Sequence, residues 1–349
     1  MARPAIPEAT RQRLDATVEQ LRALLPAAWT LRVPARNERG GDIEFSVNDE
    51  AVAVIEVKTT KRLDPRSLDR LTLPDRPVIV YADWLSPRTQ ALLRERGASY
   101  VDSTGNIDVS LSKPPIVLRA DGAQRDPNPP PTTGPTLRGP RAWGLMRTLA
   151  EVRPPYTASD LSARLDVDNG YVSRVLQALV DERLIERAPR RPVTSVMWEA
   201  LLRQLAATYS LFDSNETSTW VASSGPERLL NDLAGKSPRR WAVSGSFAAR
   251  GLVSVTAAET AVIYTDDPER LAKLGRLLPT RTGANVVLAQ PFDPIVFDRL
   301  RIDGDYPQVS VAQTAIDLLT GNARMPSEGV ALINWMTENE SRWRASGLG

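Results

Sequence analysis

Three helical repeats of apolar residues within positions 139–193 constrain this chain more than any other feature of its sequence. The first repeat spans residues 142–152 and is ended by Pro154-Pro155. A second, short helix begins at Thr157, whose side chain is expected to form a capping box with Asp160. The third helix follows a turn at residues 166–170. Short helices joined by tight turns in this way are typical of a helix-turn-helix.

The third helix has one apolar and one polar face. Its inward positions recur at helical spacing, at Val172, Val175, Leu176, Leu179 and Val180. The side chains predicted to contact DNA are Asn169, Tyr171, Ser173, Arg174 and Gln177 on this helix, and Arg187, Arg190 and Arg191 beyond it. The last three belong to a predicted wing, formed by a strand at 184–187, a basic tip and a return at 192–193.

The chemistry of these residue types fits double-stranded DNA. A helix fits the major groove, where an arginine near the helix start can bind guanine through two hydrogen bonds, and cationic loops neutralise phosphates. Arg174 is the predicted base contact. A winged helix that serves only protein contacts is the alternative.

Composition excludes several classes of protein. The 349 residues suffice for two or three domains, and the net charge of +2 confines nucleic-acid binding to local patches. With no cysteine, disulfides and thiolate metal sites are absent, and with no histidine so are histidine-based catalysis and imidazole-bound zinc. No apolar run is long enough for a membrane span or a signal peptide. We expect a cytoplasmic protein that requires no cofactor to bind DNA.

Residues 1–122 predict an α/β module in the order helix, three strands, helix, strand. Asp42, Glu56 and Lys58 resemble the D…ExK motif of the restriction-endonuclease superfamily, with Glu56 and Lys58 on one face of a strand. Only five of the 44 basic residues are lysines, so a lysine at this position is notable. In a nuclease Asp42 and Glu56 would hold Mg²⁺ and Lys58 would steady the attacking water. An ion pair between Glu56 and Lys58 at a strand end is the structural alternative.

A Pro-rich segment at 123–138 predicts a linker, 139–193 the winged helix-turn-helix, and 194–349 a C-terminal α/β domain. Gly245-Ser246 after a strand resembles the turn of nucleotidyltransferases. Those enzymes require paired aspartates on the next strand, whereas Asp266-Asp267 lie beyond it. We therefore expect a multidomain α/β protein whose last module is nucleotidyltransferase-like and inactive. A helix cap explains Gly245-Ser246 equally well.

Together the modules resemble AbiEi-type antitoxins and transcriptional regulators of bacterial type IV toxin–antitoxin systems. The resemblance rests on residues 92–111 (LLRERGASYVDSTGNIDVSL), the winged helix, residues 241–250 (WAVSGSFAAR) and residues 306–319 (YPQVSVAQTAIDLL). It implies a DNA-binding repressor that acts on its own operon and counters a toxin partner without contacting it. In that family the winged helix is commonly N-terminal, so antitoxin and stand-alone regulator both stay open.

Three hypotheses follow from the sequence. The first is a sequence-specific DNA-binding transcriptional regulator, repressor-like and homodimeric. The second is a Mg²⁺-dependent nuclease that the winged helix targets to DNA. The third is a protein-interaction scaffold in which no module contacts nucleic acid.

Overall fold

The structure is a computed structural model that describes residues 8–33, 42–74, 77–113, 115–128, 137, 139–236, 240–254 and 258–348. The chain divides into two compact units. Unit 1 comprises Met1–Thr132 and Asp181–Arg183, and unit 2 comprises Thr133–Val180 and Leu184–Gly349. Among the helices in the described ranges, none combines the length and apolar character that crossing a membrane requires.

Unit 1 contains a seven-stranded mixed sheet in the order β1-β2-β3-β4-β5-β6-β7. Its helices and strands are α1 (Glu8–Arg22), β1 (Trp29–Arg32), β2 (Asp42–Val47), β3 (Glu50–Thr59), a 3-10 helix (Ser67–Arg70), β4 (Val78–Ala82), α2 (Pro87–Glu95), β5 (Ser99–Asp102), β6 (Ile107–Ser112) and β7 (Pro115–Ala120). Strands β3, β4 and β5 are parallel, and the other neighbours are antiparallel. The first helix and the first three strands follow the predicted order, but a 3-10 helix and a fourth strand, β4, come before α2. Their assignment to the restriction-endonuclease-like fold stays a prediction.

The two faces of this sheet are covered unequally. Helix α1 packs on one face, where Ile43, Phe45 and Ile55 belong to a buried cluster. On the opposite face Val52 is 44% exposed and Val54 is 54% exposed. Residues 51–55 are apolar at every position, which predicts a central strand covered on both faces, and the exposure of Val52 and Val54 shows that this prediction is wrong. An apolar run alone does not show that both faces of a strand are buried, because burial of each face requires another element packed against it.

Unit 2 contains a second seven-stranded sheet, in the order β13-β10-β14-β12-β11-β16-β15, and a two-stranded hairpin of β8 and β9. Its helices are α3 (Pro140–Glu151), α4 (Ala158–Leu165), α5 (Asn169–Asp181), α6 (Trp198–Ala206), α7 (Pro226–Ala234), α8 (Gly245–Ala249), α9 (Pro268–Gly275), a 3-10 helix (Pro294–Phe297), α10 (Val311–Leu319), α11 (Met325–Glu338) and α12 (Glu340–Trp343). Its strands are β8 (Ile185–Glu186), β9 (Ser195–Val196), β10 (Glu216–Val221), β11 (Trp241–Ser244), β12 (Ala261–Thr265), β13 (Leu278–Pro279), β14 (Val286–Gln290), β15 (Arg301–Asp303) and β16 (Tyr306–Gln308).

One hydrophobic cluster runs from the three-helix segment into the C-terminal part of unit 2. Leu145, Leu176, Leu202 and Ile316 all belong to it and are at most 1% exposed. Every residue of α3 from Ala142 to Glu151 is buried. The sequence predicts one buried face for this helix, so its burial on all sides is a correction. A helix buried all round is an interior element rather than a surface one.

Other boundaries also differ from the sequence-based expectation. The return of the hairpin is predicted at 192–193, whereas β9 is Ser195–Val196 and Val193 forms an isolated bridge with Tyr156. A helix predicted over 268–278 ends at Gly275, because Arg276 adopts the left-handed conformation and Leu278 begins an edge strand. The linker expected at 123–138 lies largely outside the described residues, and the finer domain boundaries stay predictions.

Candidate nucleic-acid interface

Helices α4 and α5 are positioned by side-chain caps at their N-termini. Thr157 and Asp160 form the predicted capping box, with the Thr157 hydroxyl accepting from the Asp160 amide at 3.1 Å. Asp166 ends α4 in the left-handed conformation, at φ 51°. The Asp168 carboxylate then accepts from the Tyr171 amide at 2.8 Å, which caps α5. The capping box is as the sequence predicts, and together with the Asp168 cap it fixes the turn between the two helices.

The orientation of α5 follows from its buried face. Val172, Val175, Leu176 and Leu179 are each 0% exposed. The side chains predicted to contact DNA therefore lie on the other side, with Asn169, Arg174 and Gln177 exposed and Tyr171 and Ser173 half-buried. Their placement on one accessible helix face is observed. Their role in binding DNA stays a prediction.

A short hairpin follows α5. Strand β8 pairs with β9, and Val193 donates its amide to the Tyr156 carbonyl at 2.9 Å. At the tip of this hairpin Arg190 and Arg191 are exposed. Within the described part of the chain, neither of these guanidinium groups forms a hydrogen bond or an ion pair.

Arg187 differs from the two arginines at the tip. It is half-buried, and its Nε and Nη1 atoms are shielded from solvent and have no hydrogen-bond partner among the described residues. Less of its guanidinium group is open to a ligand than at Arg190 and Arg191. Spacing along a predicted strand could not show this difference, because it depends on how the hairpin packs.

Sequence reasoning missed Arg141, in the first turn of α3. This residue is exposed, whereas the ten residues that follow it in the helix are buried. Arg141 and Arg174 both act electrostatically on Tyr171. Burial raises the pKa of the Tyr171 hydroxyl, and the two guanidinium groups oppose that shift. The Gly-Pro sequence before Arg141, a helix-start signal, could have placed it at this end of the segment.

A buried polar network holds α3 against α10. Arg147 Nε forms an ion pair with Glu151 at 3.2 Å, and Arg147 Nη1 donates to Gln313 at 3.0 Å. Ser310 donates its hydroxyl to Glu151. Burial raises the pKa of the Glu151 carboxyl, and Arg147 opposes that shift. Because breaking a buried pair leaves an unpaired charge, this network favours one placement of α3.

The network continues to Asp317, which is fully buried at the centre of the C-terminal part. Asp317 accepts from Gln313, Tyr209, Tyr264 and Ser244, the last at 2.6 Å. Burial raises the pKa of the Asp317 carboxyl to about 6, and these donors oppose the rise. Each donor is thereby satisfied, so the network orders the surrounding sheet and helix together.

In unit 1 the structure brings Asp42, Glu56 and Lys58 together. Asp42 and Glu56 are direct neighbours on antiparallel strands β2 and β3. Lys58 Nζ lies 3.1 Å from Glu56 Oε1, so the ion pair that is the structural alternative to a nuclease site is present. Throughout the described ranges, no three acidic side chains are grouped closely enough to hold a metal ion. The cluster therefore offers two carboxylates, and Mg²⁺ bound there would keep several water ligands.

Three helices with a capped turn and a basic hairpin define a helix-turn-helix class of domain. In the comparison with protein families, the model described as the IclR helix-turn-helix domain matches residues 141–189. This match supports a DNA-binding transcription regulator. Neither the curated proteins nor the solved structures contain a significant match to the chain.

Proposed function

We propose that this protein is a sequence-specific repressor that reads double-stranded DNA with α5 and uses the hairpin of β8 and β9 as a wing. The exposed polar face of α5 is the observation that carries the proposal, with Arg174 near its N-terminus, whose guanidinium group has no ion-pair partner among the residues that the structure describes. An arginine in that place can bind guanine O6 and N7. The IclR-type match over residues 141–189 supports the same reading.

The finer parts of the proposal follow from the class of regulator. A homodimer would present two α5 helices to the two halves of an operator, one helical turn apart. The protein would act in the cytoplasm on its own operon. Because the chain resembles AbiEi-type antitoxins, a toxin would be a second partner of this protein, besides DNA.

Binding to DNA tests the proposal directly. DNA from the region upstream of the gene should bind more tightly than scrambled DNA of equal length, with and without Mg²⁺. Arg174→Ala should weaken binding to the preferred site by about 1–3 kcal/mol and leave binding to scrambled DNA nearly unchanged. Equal affinity of the wild-type protein for every sequence would contradict a sequence-specific regulator.

We further propose that the C-terminal part transfers no nucleotides. Strand β12 ends at Thr265, and Asp266-Asp267 lie after it, where Asp267 caps α9. Ser246 donates its hydroxyl group to the Glu328 carboxylate. This hydroxyl group is therefore not free to donate to the phosphates of a triphosphate. Incubation with labelled triphosphates and Mg²⁺ should label neither protein nor RNA. Labelling that disappears in Ser246→Ala would overturn this proposal.

A Mg²⁺-dependent nuclease is the second candidate function, favoured by the register that makes Asp42 and Glu56 neighbours beside Lys58. If it holds, Mg²⁺ or Mn²⁺ should support nicking, and Lys58→Ala should abolish cleavage while DNA binding persists. If the cluster is only an ion pair, long incubation with either metal should return intact DNA. Cleavage lost in both Asp42→Ala and Lys58→Ala would make the nuclease the leading function.

A further inference from the structure

We propose that the outer face of α11 binds the same face of α11 in a second copy of this chain, with the two helices antiparallel. The inference rests on the proposed function, which includes a homodimer without saying which surface forms it. Helix α11 spans Met325–Glu338. Its outer face is defined by the exposed side chains of Arg324, at the N-cap, and of Ser327, Val330, Ala331, Asn334 and Glu338.

The first argument is the position of the outer face on α11. The buried residues of this helix form one stripe, at Gly329, Leu332, Ile333 and Met336. Positions 327, 331, 334 and 338 recur at helical spacing on the opposite side, and all four are exposed. A repeat of alternately three and four residues along one face is the spacing at which two helices pack side by side.

The second argument is the lack of charge in the middle of this face. Every exposed residue from Pro326 to Thr337 is uncharged, and Val330 is 45% exposed. The acidic residue in this interval, Glu328, is half-buried and accepts from the Ser246 hydroxyl group. The water-exposed side of a surface helix normally carries charged residues. A depletion of charge is instead typical of the centre of a protein interface.

The third argument is the placement of charge at the two ends of α11. Arg324 lies at the N-cap, and Glu338 is the last residue of the helix. Each therefore lies at the end whose partial charge has its own sign, where its own helix does not stabilise it. In the described part of the chain neither residue forms an ion pair. Both charges are thus available to a partner of complementary charge.

A second copy of α11 supplies that complementary charge. Arg324 and Glu338 are equally distant from Ala331 in sequence, so an antiparallel pair centred on Ala331 places Arg324 of one copy beside Glu338 of the other at both ends. Each cation then lies at the C-terminus of the other helix and each carboxylate at its N-terminus, where the helix partial charges favour them. The Val330 side chains of the two copies lie near the two-fold axis. A parallel pair would place like charges together at each end.

Analytical ultracentrifugation of the full chain over a range of concentrations, without DNA, tests the inference. Arg324→Glu and Glu338→Arg should each weaken the wild-type dimer about tenfold or more, because each places like charges together at both ends. The variant that carries both reversals restores opposite charges and should dimerise within about threefold of wild type. Each reversal puts a charge where its own helix favours it, so a weaker dimer does not reflect a less stable helix.

Arg228→Glu provides a matched control, because it reverses the charge of an exposed arginine in the first turn of another helix, α7. It should dimerise like wild type, whereas Val330→Glu, which places charge at the axis, should weaken the dimer. The inference is wrong if wild type is monomeric at every concentration, if the single reversals match the control, or if the double variant dimerises no better than they do.

Binding to the preferred and scrambled duplexes, measured on the same proteins, separates this inference from the proposed function. A monomeric wild type that prefers its own upstream DNA would remove the inference and leave the proposed function. A wild type that dimerises through α11 and binds every sequence equally would remove the proposed function and leave the inference.

Discussion

Single residues with many hydrogen bonds account for much of the local order, and Asp102 is the clearest case. Its buried carboxylate accepts from the amides of Leu85, Thr104 and Asn106 and from the side chains of the last two, at 2.7 to 3.1 Å. Gly122 packs so closely on this turn that an added Cβ would lie 2.4 Å from the Thr104 carbonyl oxygen. The DSTGN stretch that contributed to the family resemblance therefore has a structural explanation.

Asp102→Ala should lower the free energy of unfolding of unit 1 by about 3 kcal/mol or more, because several buried donors would lose a charged acceptor. Urea unfolding followed by circular dichroism measures the loss. Asp121→Ala, at the exposed residue directly after β7 ends at Ala120, serves as the control and should change little. If Asp102→Ala unfolded with the same free energy as wild type, the turn would not depend on this acceptor.

At the scale of elements, the hairpin of β8 and β9 should contribute to DNA affinity without contributing to specificity. Arg190 lies at φ 57°, so Arg190→Asn removes the charge and keeps a residue that tolerates this conformation. This variant and Arg191→Ala should each weaken binding to all sequences and lower the salt slope by about 0.9. The measurement is a titration of labelled duplexes over a range of salt concentrations, with Arg228→Ala, at an exposed arginine of α7, as reference. An unchanged slope in both variants would exclude the hairpin tip from the interface.

Helix α10 should make the stability of unit 2 depend on pH. The pKa of Asp317 is raised to about 6 in the folded protein, against an ordinary value of 3.8. As the pH falls, the folded state therefore takes up this proton at a higher pH than the unfolded state does, and protonation of Asp317 stabilises the fold. The stabilisation is complete below pH 3.8 and is lost as the pH rises through 6. From pH 7.5 to 4.5 we expect wild type to gain about 2 kcal/mol relative to Asp317→Asn.

Urea unfolding of both proteins at several pH values, monitored by tryptophan fluorescence, measures that difference. Asp232→Asn, at an exposed carboxylate of α7, controls for the loss of one charge. Parallel pH profiles for wild type and Asp317→Asn would show that this carboxyl group does not titrate in the range.

Helical periodicity and capping residues predicted the three-helix segment well, because those signals are local. Thr157 with Asp160, and the apolar face from Val172 to Leu179, needed only neighbours in sequence. The full burial of α3 and the exposure of Val54 could not be predicted, because both depend on which distant elements pack nearby. Arg141 was missed for the same reason, since its exposure at the start of an otherwise buried helix also depends on that packing.

At the scale of the molecule, the helix-turn-helix shares the hydrophobic core of the C-terminal part. Besides its apolar contacts, α3 receives hydrogen bonds from Arg344, which donates to the carbonyls of Ala150 and Val152 at 2.8 Å. Gly144 leaves room for Ile295, whose Cδ1 atom would lie 2.8 Å from an added Cβ. The segment that is proposed to read DNA is therefore part of a larger folding unit.

A fragment containing residues 139–197 alone should fail to fold, because it would expose the apolar surface of α3 that α6 and α10 cover. A fragment containing residues 133–349 should fold and unfold in one transition. Circular dichroism and thermal melting of both fragments test this prediction. A folded 139–197 fragment with a cooperative melt would show that the segment is autonomous.

The burial of α3 on every side also bears on how such a regulator could acquire new targets over evolutionary time. Changes in α3 would disturb the core, whereas the exposed positions Asn169 and Arg174 can vary with little cost in stability. Duplicated copies of the gene would therefore diverge in the operator they recognise through a few surface positions on α5. The interior of unit 2 would meanwhile be inherited almost unchanged.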